Sequence, residues 1–225
     1  MNTSIRGVLL FRPFTLLFEL ILTLLFPDCC CICKQPFSRL CNTCKNNLDF
    51  CLPFDAQVYY PSIAVTAVCR FTPLSRNIIH CFKYIPLQPL AIDIAHLLFA
   101  HAAFPKTDYI TSVPPDPKRK KQRGFDHTQA LALEVARLTK TPYRSLFEKK
   151  SATRSQASTG TKEQRKANIA RAFTLLPTAE QQLKPHSTVL IIDDVCTTGT
   201  TLETCTALLE KHKVTAHCLV FALRI

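Results

Sequence analysis

Val189-Leu190-Ile191-Ile192-Asp193-Asp194-Val195-Cys196-Thr197-Thr198-Gly199-Thr200-Thr201 is the stretch on which the reading of this chain turns. Four apolar, mostly β-branched residues (Val189–Ile192) read as a buried parallel strand. Two carboxylates follow at the strand's end. A Thr/Gly loop then runs into an amphipathic helix with Leu202, Cys205 and Leu209 on one stripe. A loop that opens a helix offers free backbone N–H groups and a favourable dipole, which suits a phosphate. Gly199 allows close backbone approach or a positive φ. Thr197, Thr198, Thr200 and Thr201 add hydroxyl donors. Asp193 and Asp194 repel phosphate but accept hydrogen bonds from sugar hydroxyls. A phosphate cradle beside paired acceptors points to a ribose-5-phosphate site.

Outward from this stretch, strands and helices alternate from residue 58 onward, the pattern of a parallel α/β sheet. Ile63–Phe71, Tyr109–Val113 and Val214–Leu223 read as strands. Leu74–Tyr84 reads as a helix, as does the stripe of Leu90, Ile94, Leu97, Leu98 and His101. Phe125–Thr139 is a third helix, with Leu131, Val135 and Leu138 inward. In open α/β sheets ligands sit beyond the carboxyl ends of strands. The loops after Val113 and Ile192 both lie there. The first holds Lys118-Arg119-Lys120-Lys121-Gln122-Arg123, five cations in six positions, which repel one another unless an anion neutralises them. Lys149 to Phe173 is long and polar for a simple connection, and a lid over the site is expected there.

The 225-residue chain is 47% hydrophobic, enough to bury a core in one large domain or one domain plus a small appendage. Its formal net charge of +12 is concentrated: residues 118–171 hold 15 Lys and Arg against 4 Asp and Glu, a net of +11. So local a field points to a polyanion such as pyrophosphate or nucleic acid. Seven of the twelve cysteines lie between Cys29 and Cys51, and the rest are scattered singly as small apolar residues, which suits a reducing cytoplasm better than a disulfide framework. Cys30-x-x-Cys33 and Cys41-x-x-Cys44 are paired knuckles that would hold one Zn²⁺ tetrahedrally, with Cys29 or Cys31 as alternatives to Cys30. Four protein ligands make the expected role structural. Residues 8–26 are the most apolar stretch, but Arg12, Pro13 and Glu19 interrupt it. A buried or interfacial helix is expected, with peripheral membrane contact left open. Of the histidines only His127, which follows Arg-Gly-Phe, attracts a functional reading.

These pieces resemble the ComF family (GntX-like proteins included), competence-associated relatives of the type I phosphoribosyltransferases. The Val189–Thr201 stretch is similar to the loop with which those transferases bind phosphoribosyl pyrophosphate (PRPP). Further likeness lies in Phe26-Pro27 with the cysteine knuckle, in Ile78 to Tyr84, in Val113-Pro114 with Arg123-Gly124-Phe125, and in Ser155-Gln156 with Arg165, Asn168 and Phe173. One departure is clear: the family commonly has Asn-Gln after Arg-Gly-Phe, and this chain has Asp126-His127.

The resemblance implies a type I phosphoribosyltransferase-like parallel sheet flanked by helices over 58–225. A helix and a zinc-ribbon-like knuckle would occupy 1–57. Asp193 and Asp194 would hold the ribose hydroxyls, and Thr197, Thr198, Gly199, Thr200 and Thr201 the 5′-phosphate. Lys83, Arg119, Lys121 and Arg123 would neutralise the pyrophosphate of Mg²⁺–PRPP. With the last strand ending near Ile225, an acceptor-binding hood is expected from residues 1–57. No residue stands out as a general base. The rival reading is a non-catalytic protein that binds PRPP or incoming single-stranded DNA, the latter stacking on Phe125, Tyr143, Phe147 and Phe173. A partner at the inner membrane or in a DNA-import complex is a third.

Overall fold

The computed structural model describes residues 25, 27–52, 56–84, 88–150 and 172–224. The apolar stretch 8–26, Leu25 apart, lies outside them, as do Ser155, Gln156, Arg165 and Asn168 of the expected lid. The chain divides into two compact units, Met1–Asn46 and Asn47–Ile225. The larger unit therefore begins before the boundary read at 57/58. The reason is strand pairing: Phe50 bridges Cys69, and the Cys51 N–H donates to the Val68 carbonyl at 2.9 Å.

In the smaller unit a tight turn follows a bridge between Cys29 and Pro36. The Cys30 N–H donates to the Gln35 carbonyl at 2.8 Å, and Lys34 N–H returns to the Cys30 carbonyl at 2.9 Å. A short helix, α1 (Asn42–Asn46), carries the second knuckle. Leu40 is fully buried, and Arg39 pairs with Asp28 at 2.8 Å.

The larger unit runs β1 (Gln57–Tyr59), β2 (Ala64–Arg70), α2 (Pro73–Tyr84), α3 (Gln88–His101), β3 (Tyr109–Ser112), α4 (Pro117–Arg123), α5 (His127–Thr139), β4 (Phe147–Lys149), β5 (Phe173–Leu175), α6 (Pro177–Gln182), β6 (Thr188–Cys196), α7 (Thr200–Glu210) and β7 (Thr215–Leu223). Among the described residues one sheet has the order β1-β2-β7-β6-β3, and β4 pairs with β5 in a second. All pairings in the main sheet are parallel except β1 with β2. Leu190, Ile191 and Ile192 are buried on both faces of β6, as a continuous apolar run in a parallel sheet requires. On one face Val65, Ile191, Cys218 and Val220 form a core with Leu202, Cys205 and Leu209 of α7 and with Phe147, Phe173 and Leu175 of the small sheet. Ile78 and Phe82 of α2, Leu90, Ile94 and Leu98 of α3, and Leu131 and Val135 of α5 are buried as well, as their helical spacing predicts.

Two expectations are corrected. β6 does not stop at Ile192; it runs through Cys196, because β7 still offers partners there, Asp193 opposite Val220 and Cys196 opposite Leu223. The two aspartates therefore lie within the strand. The basic run 118–123 is a helix, not a loop. Asp116 caps it by accepting from the Lys118 N–H at 2.9 Å, Pro117 opens it, and Gly124 closes it at φ 79°. Its cations crowd the last turn, where the helix dipole favours them.

Candidate functional site

β3 and β6 part company at the top of the sheet. Their last paired residues are Ser112 and Ile192, with the Val113 N–H donating to the Ile192 carbonyl at 3.0 Å. Beyond this, β6 continues beside β7 alone. The space over the end of β3 is a cavity of about 310 Å³. Asp193, Asp194 and Thr201 line it with Lys83 from α2, Arg119 and Arg123 from α4, His127 from α5, and Lys149. It sits where an open α/β sheet receives its ligand.

Asp194 is at its centre. Its Oδ2 meets Lys83 Nζ at 2.5 Å and His127 Nε2 at 3.1 Å. Arg123 Nη1 lies 3.2 Å from His127 Nδ1. The Arg123 guanidinium lies over the Tyr84 ring at 4.9 Å, and the Phe82 ring packs edge-on to His127 at 5.5 Å. Arg123 Nε is buried and has no hydrogen-bond partner among the described residues. A buried donor left unpaired is costly, so an acceptor is to be expected there.

Local sequence explains the placement. Asp126 caps α5, accepting from the Gln129 N–H at 3.0 Å and from the Thr128 hydroxyl at 2.9 Å. Thr128 also donates to the Val113 carbonyl at 2.7 Å, tying α5 to the end of β3. The cap fixes His127 as the first helical residue, 4% exposed and facing β6.

The two neighbouring carboxyls separate in acidity. Burial opposes ionisation of both. At Asp194 the hydrogen bond from His127 and the Lys83 charge prevail and hold its pKa at about 2. Asp193 is pushed well up, by burial first and then by the charge of Asp194. Two charges this close are ionised together only at a cost.

Of the phosphate-loop residues, Thr201 lines this cavity. Gly199 has φ 73° and starts α7. A Cβ there would also meet the Tyr60 ring at 2.6 Å. The Tyr60 hydroxyl donates to the Thr197 carbonyl and accepts from the Cys196 thiol, both at 3.2 Å. Thr197 and Thr198 are exposed; Thr198 and Thr200 share a hydroxyl contact of 3.1 Å.

Of the sequence candidates, Lys83, Arg119, Arg123, Asp193, Asp194 and Thr201 thus share one cavity, whereas Lys121 is exposed and does not line it. His127 is drawn in more deeply than its motif position suggested. Tyr60 and Lys149 had no signal that could have found them. The aromatic platform for DNA is corrected: Phe147 and Phe173 are 3% and 2% exposed, core residues closed to stacking. The Tyr143 hydroxyl is engaged by Ser112 at 3.0 Å.

In the smaller unit Cys30, Cys33, Cys41 and Cys44 form a cluster that could hold a metal ion, their sulfurs all within 4.8 Å of one another. The Sγ separations Cys30–Cys44 and Cys33–Cys41 are 3.8 and 3.5 Å. Four thiolates at the ~2.3 Å zinc–sulfur bond length stand roughly 3.8 Å apart on a tetrahedron, so the donor set fits. Cys30 belongs to the cluster, and Cys29 and Cys31 do not. Burial opposes the Cys30 thiolate, but N–H groups of Cys41, Cys33 and Ile32 prevail and lower its pKa to about 6.

Residues 128–225 match a family model described as phosphoribosyl transferase domain. The fold is α/β with a mostly parallel sheet. No curated protein matches the chain. Among solved structures it is similar to the allosteric regulatory enzyme of purine biosynthesis, at 15% identity and TM-score 0.44, over 62% of this chain and 29% of that one. It is similar to the glutamine PRPP amidotransferase from B. subtilis, at 16% identity and TM-score 0.44, over 62% and 30%. An adenine phosphoribosyltransferase is similar at 17% identity and TM-score 0.38, over 76% and 85%. The chain spans less than a third of the first two proteins. No described helix is long and apolar enough to cross a membrane.

Proposed function

We propose that this protein binds PRPP and transfers its phosphoribosyl group to an acceptor. The observation that carries this reading is the cavity over β3, where four cations (Lys83, Arg119, Arg123 and Lys149) surround two strand-borne carboxylates. Lys83, Arg119 and Arg123 receive the pyrophosphate, with the unpaired Arg123 Nε as one donor. Lys121, exposed on α4, adds only to the field. Asp193 and Asp194 accept the ribose hydroxyls, and Thr197 to Thr201 cradle the 5′-phosphate at the start of α7. Mg²⁺ accompanying PRPP supplies further neutralisation of the pyrophosphate. The carbon–oxygen bond from C1′ to pyrophosphate breaks, the pyrophosphate takes the electron pair, and the acceptor bonds to C1′. The chain's part is positioning and electrostatic stabilisation.

Calorimetric titration with Mg²⁺–PRPP, beside Asp193→Asn, tests this. Binding that the variant loses is expected, and pyrophosphate release with a nucleobase series would follow. No binding by the native protein overturns the proposal.

The cellular role we infer is the handling of incoming single-stranded DNA in natural competence, in the cytoplasm and at most peripheral to the inner membrane. The likeness to the ComF family supports it, as does α4, a basic helix with no buried residue. A DNA affinity that does not fall steeply with salt would refute direct phosphate contact. The cysteine cluster is proposed as a structural Zn²⁺ site.

A further inference from the structure

We infer that His127 is a positioning residue that works as a neutral donor–acceptor relay, clamping Asp194 through Nε2–H while accepting from Arg123 at Nδ1; the inference rests on the phosphoribosyl reading of the cavity. A guanidinium has donors only. With Arg123 Nη1 at 3.2 Å, the imidazole Nδ1 must therefore be the acceptor, and the ring proton sits on Nε2. That N–H points at Asp194 Oδ2, 3.1 Å away. Neither ring nitrogen is left to take a proton from a substrate, so the geometry excludes His127 as a general base and makes it a clamp.

The clamp matters because Asp194 has two partners of different kinds. Lys83 also holds Oδ2, but it lines the cavity on a flexible stem and is 26% exposed. An arriving pyrophosphate competes with Asp194 for that ammonium. His127 is 4% exposed, walled by Phe82 and set by the capped start of α5, so it stays. The carboxylate then keeps one oxygen fixed and offers the other to a sugar hydroxyl whichever partner Lys83 takes. Arg123 joins the anion subsite to the sugar subsite through the same ring. Glutamine carries the same pair of functions as this ring: an NH₂ to donate and a carbonyl to accept.

Two measurements on the full-length protein test the relay. Long-range ¹⁵N–¹H NMR of the native protein reads the ring directly: an Nε2–H tautomer is expected, and a ring protonated at Nδ1 overturns the proposal. Calorimetry with Mg²⁺–PRPP then compares His127→Gln with His127→Leu. Gln should bind within about threefold of native, and Leu about tenfold or more weaker, the effect of losing a charge-assisted hydrogen bond. Leu binding like native, or Gln failing like Leu while still folded by circular dichroism, overturns it. Native protein that ignores PRPP refutes the phosphoribosyl reading instead, and the tautomer measurement still decides the relay.

Discussion

The cysteine knuckle and the cavity over β3 both gather groups that repel one another when ionised, and they do so by opposite means. In the knuckle the most distant partners, Cys30 and Cys44, are 14 residues apart. Two turns bring them together, and among the described residues of this unit Leu40 is the one large apolar side chain that is buried. In the cavity His127 and Asp194 are 67 residues apart, and the sheet and three helices bring them together. On the proposed zinc reading, the knuckle depends on a ligand to hold it together. The cavity is held by a core that forms without one, and its charges partly neutralise each other. The lesson is that a ligand can serve as the core of a small unit, whereas in a large unit it only completes an arrangement already built.

Metal removal should break the comparison hardest if it is wrong. Protein purified under reducing conditions should carry about one zinc per chain, and a chelator should abolish hydrogen-exchange protection at the amides of Cys30 and Cys41. Binding free energies on the order of 10 kcal/mol are at stake in such sites. A metal-free knuckle that keeps its protection would place it with the cavity, as a unit folded by its own packing.

Asp194→Asn comes next. It strips Lys83 and His127 of a buried anionic partner and should cost about 1–3 kcal/mol in urea unfolding, along with PRPP binding. The native protein has a matching acid sensitivity. The Asp194 pKa is lowered to about 2, against ~3.9 in an unfolded chain. Its stabilisation is therefore full above pH ~4 and lost as pH falls through about 2. The variant should lack that part of the acid transition.

Gly199→Ala tests the phosphate loop. The positive φ and the Tyr60 ring both oppose a Cβ, and a loss of about 1–3 kcal/mol is expected. Adding Tyr60→Ala should recover the steric part and leave the backbone part. If the single variant unfolds at the native urea midpoint, the loop is looser than this.

Asp193→Asn should have the smallest effect on stability, and the opposite sign. Its folded pKa is raised, so its contribution is full below the unfolded value and lost as pH rises through the folded one. The ionised group is a burden near neutrality. Asn should raise Tm slightly at pH 7, with the gain fading toward pH 4, while PRPP binding falls. A lower Tm at pH 7 would show that Asp193 is a stabilising group in its own right.

Much of the fold was legible because the signals are local. The buried run Val189–Ile192, the stripe Leu202, Cys205 and Leu209, and the doubled Cys-x-x-Cys each declare a strand, a helix or a ligand set within a few residues. The errors fell where a neighbour decides. β6 continues past Ile192 only because β7 is there to pair with it. Residues 118–123 read as a loop by charge alone, but Asp116 and Gly124 cap them into a helix. Phe147 and Phe173 look available for stacking until the small sheet folds them inward.

The sequence by itself determined the α/β class, the metal-ligand spacing and the acid–Thr–Gly stretch, since each depends on residue types at short, fixed intervals. Only the tertiary structure decided that β3 ends where β6 goes on, that the opening lies under α4 and α5, and that Asp194 shares one oxygen between Lys83 and His127. Those are distances between residues far apart along the chain, and packing alone sets them.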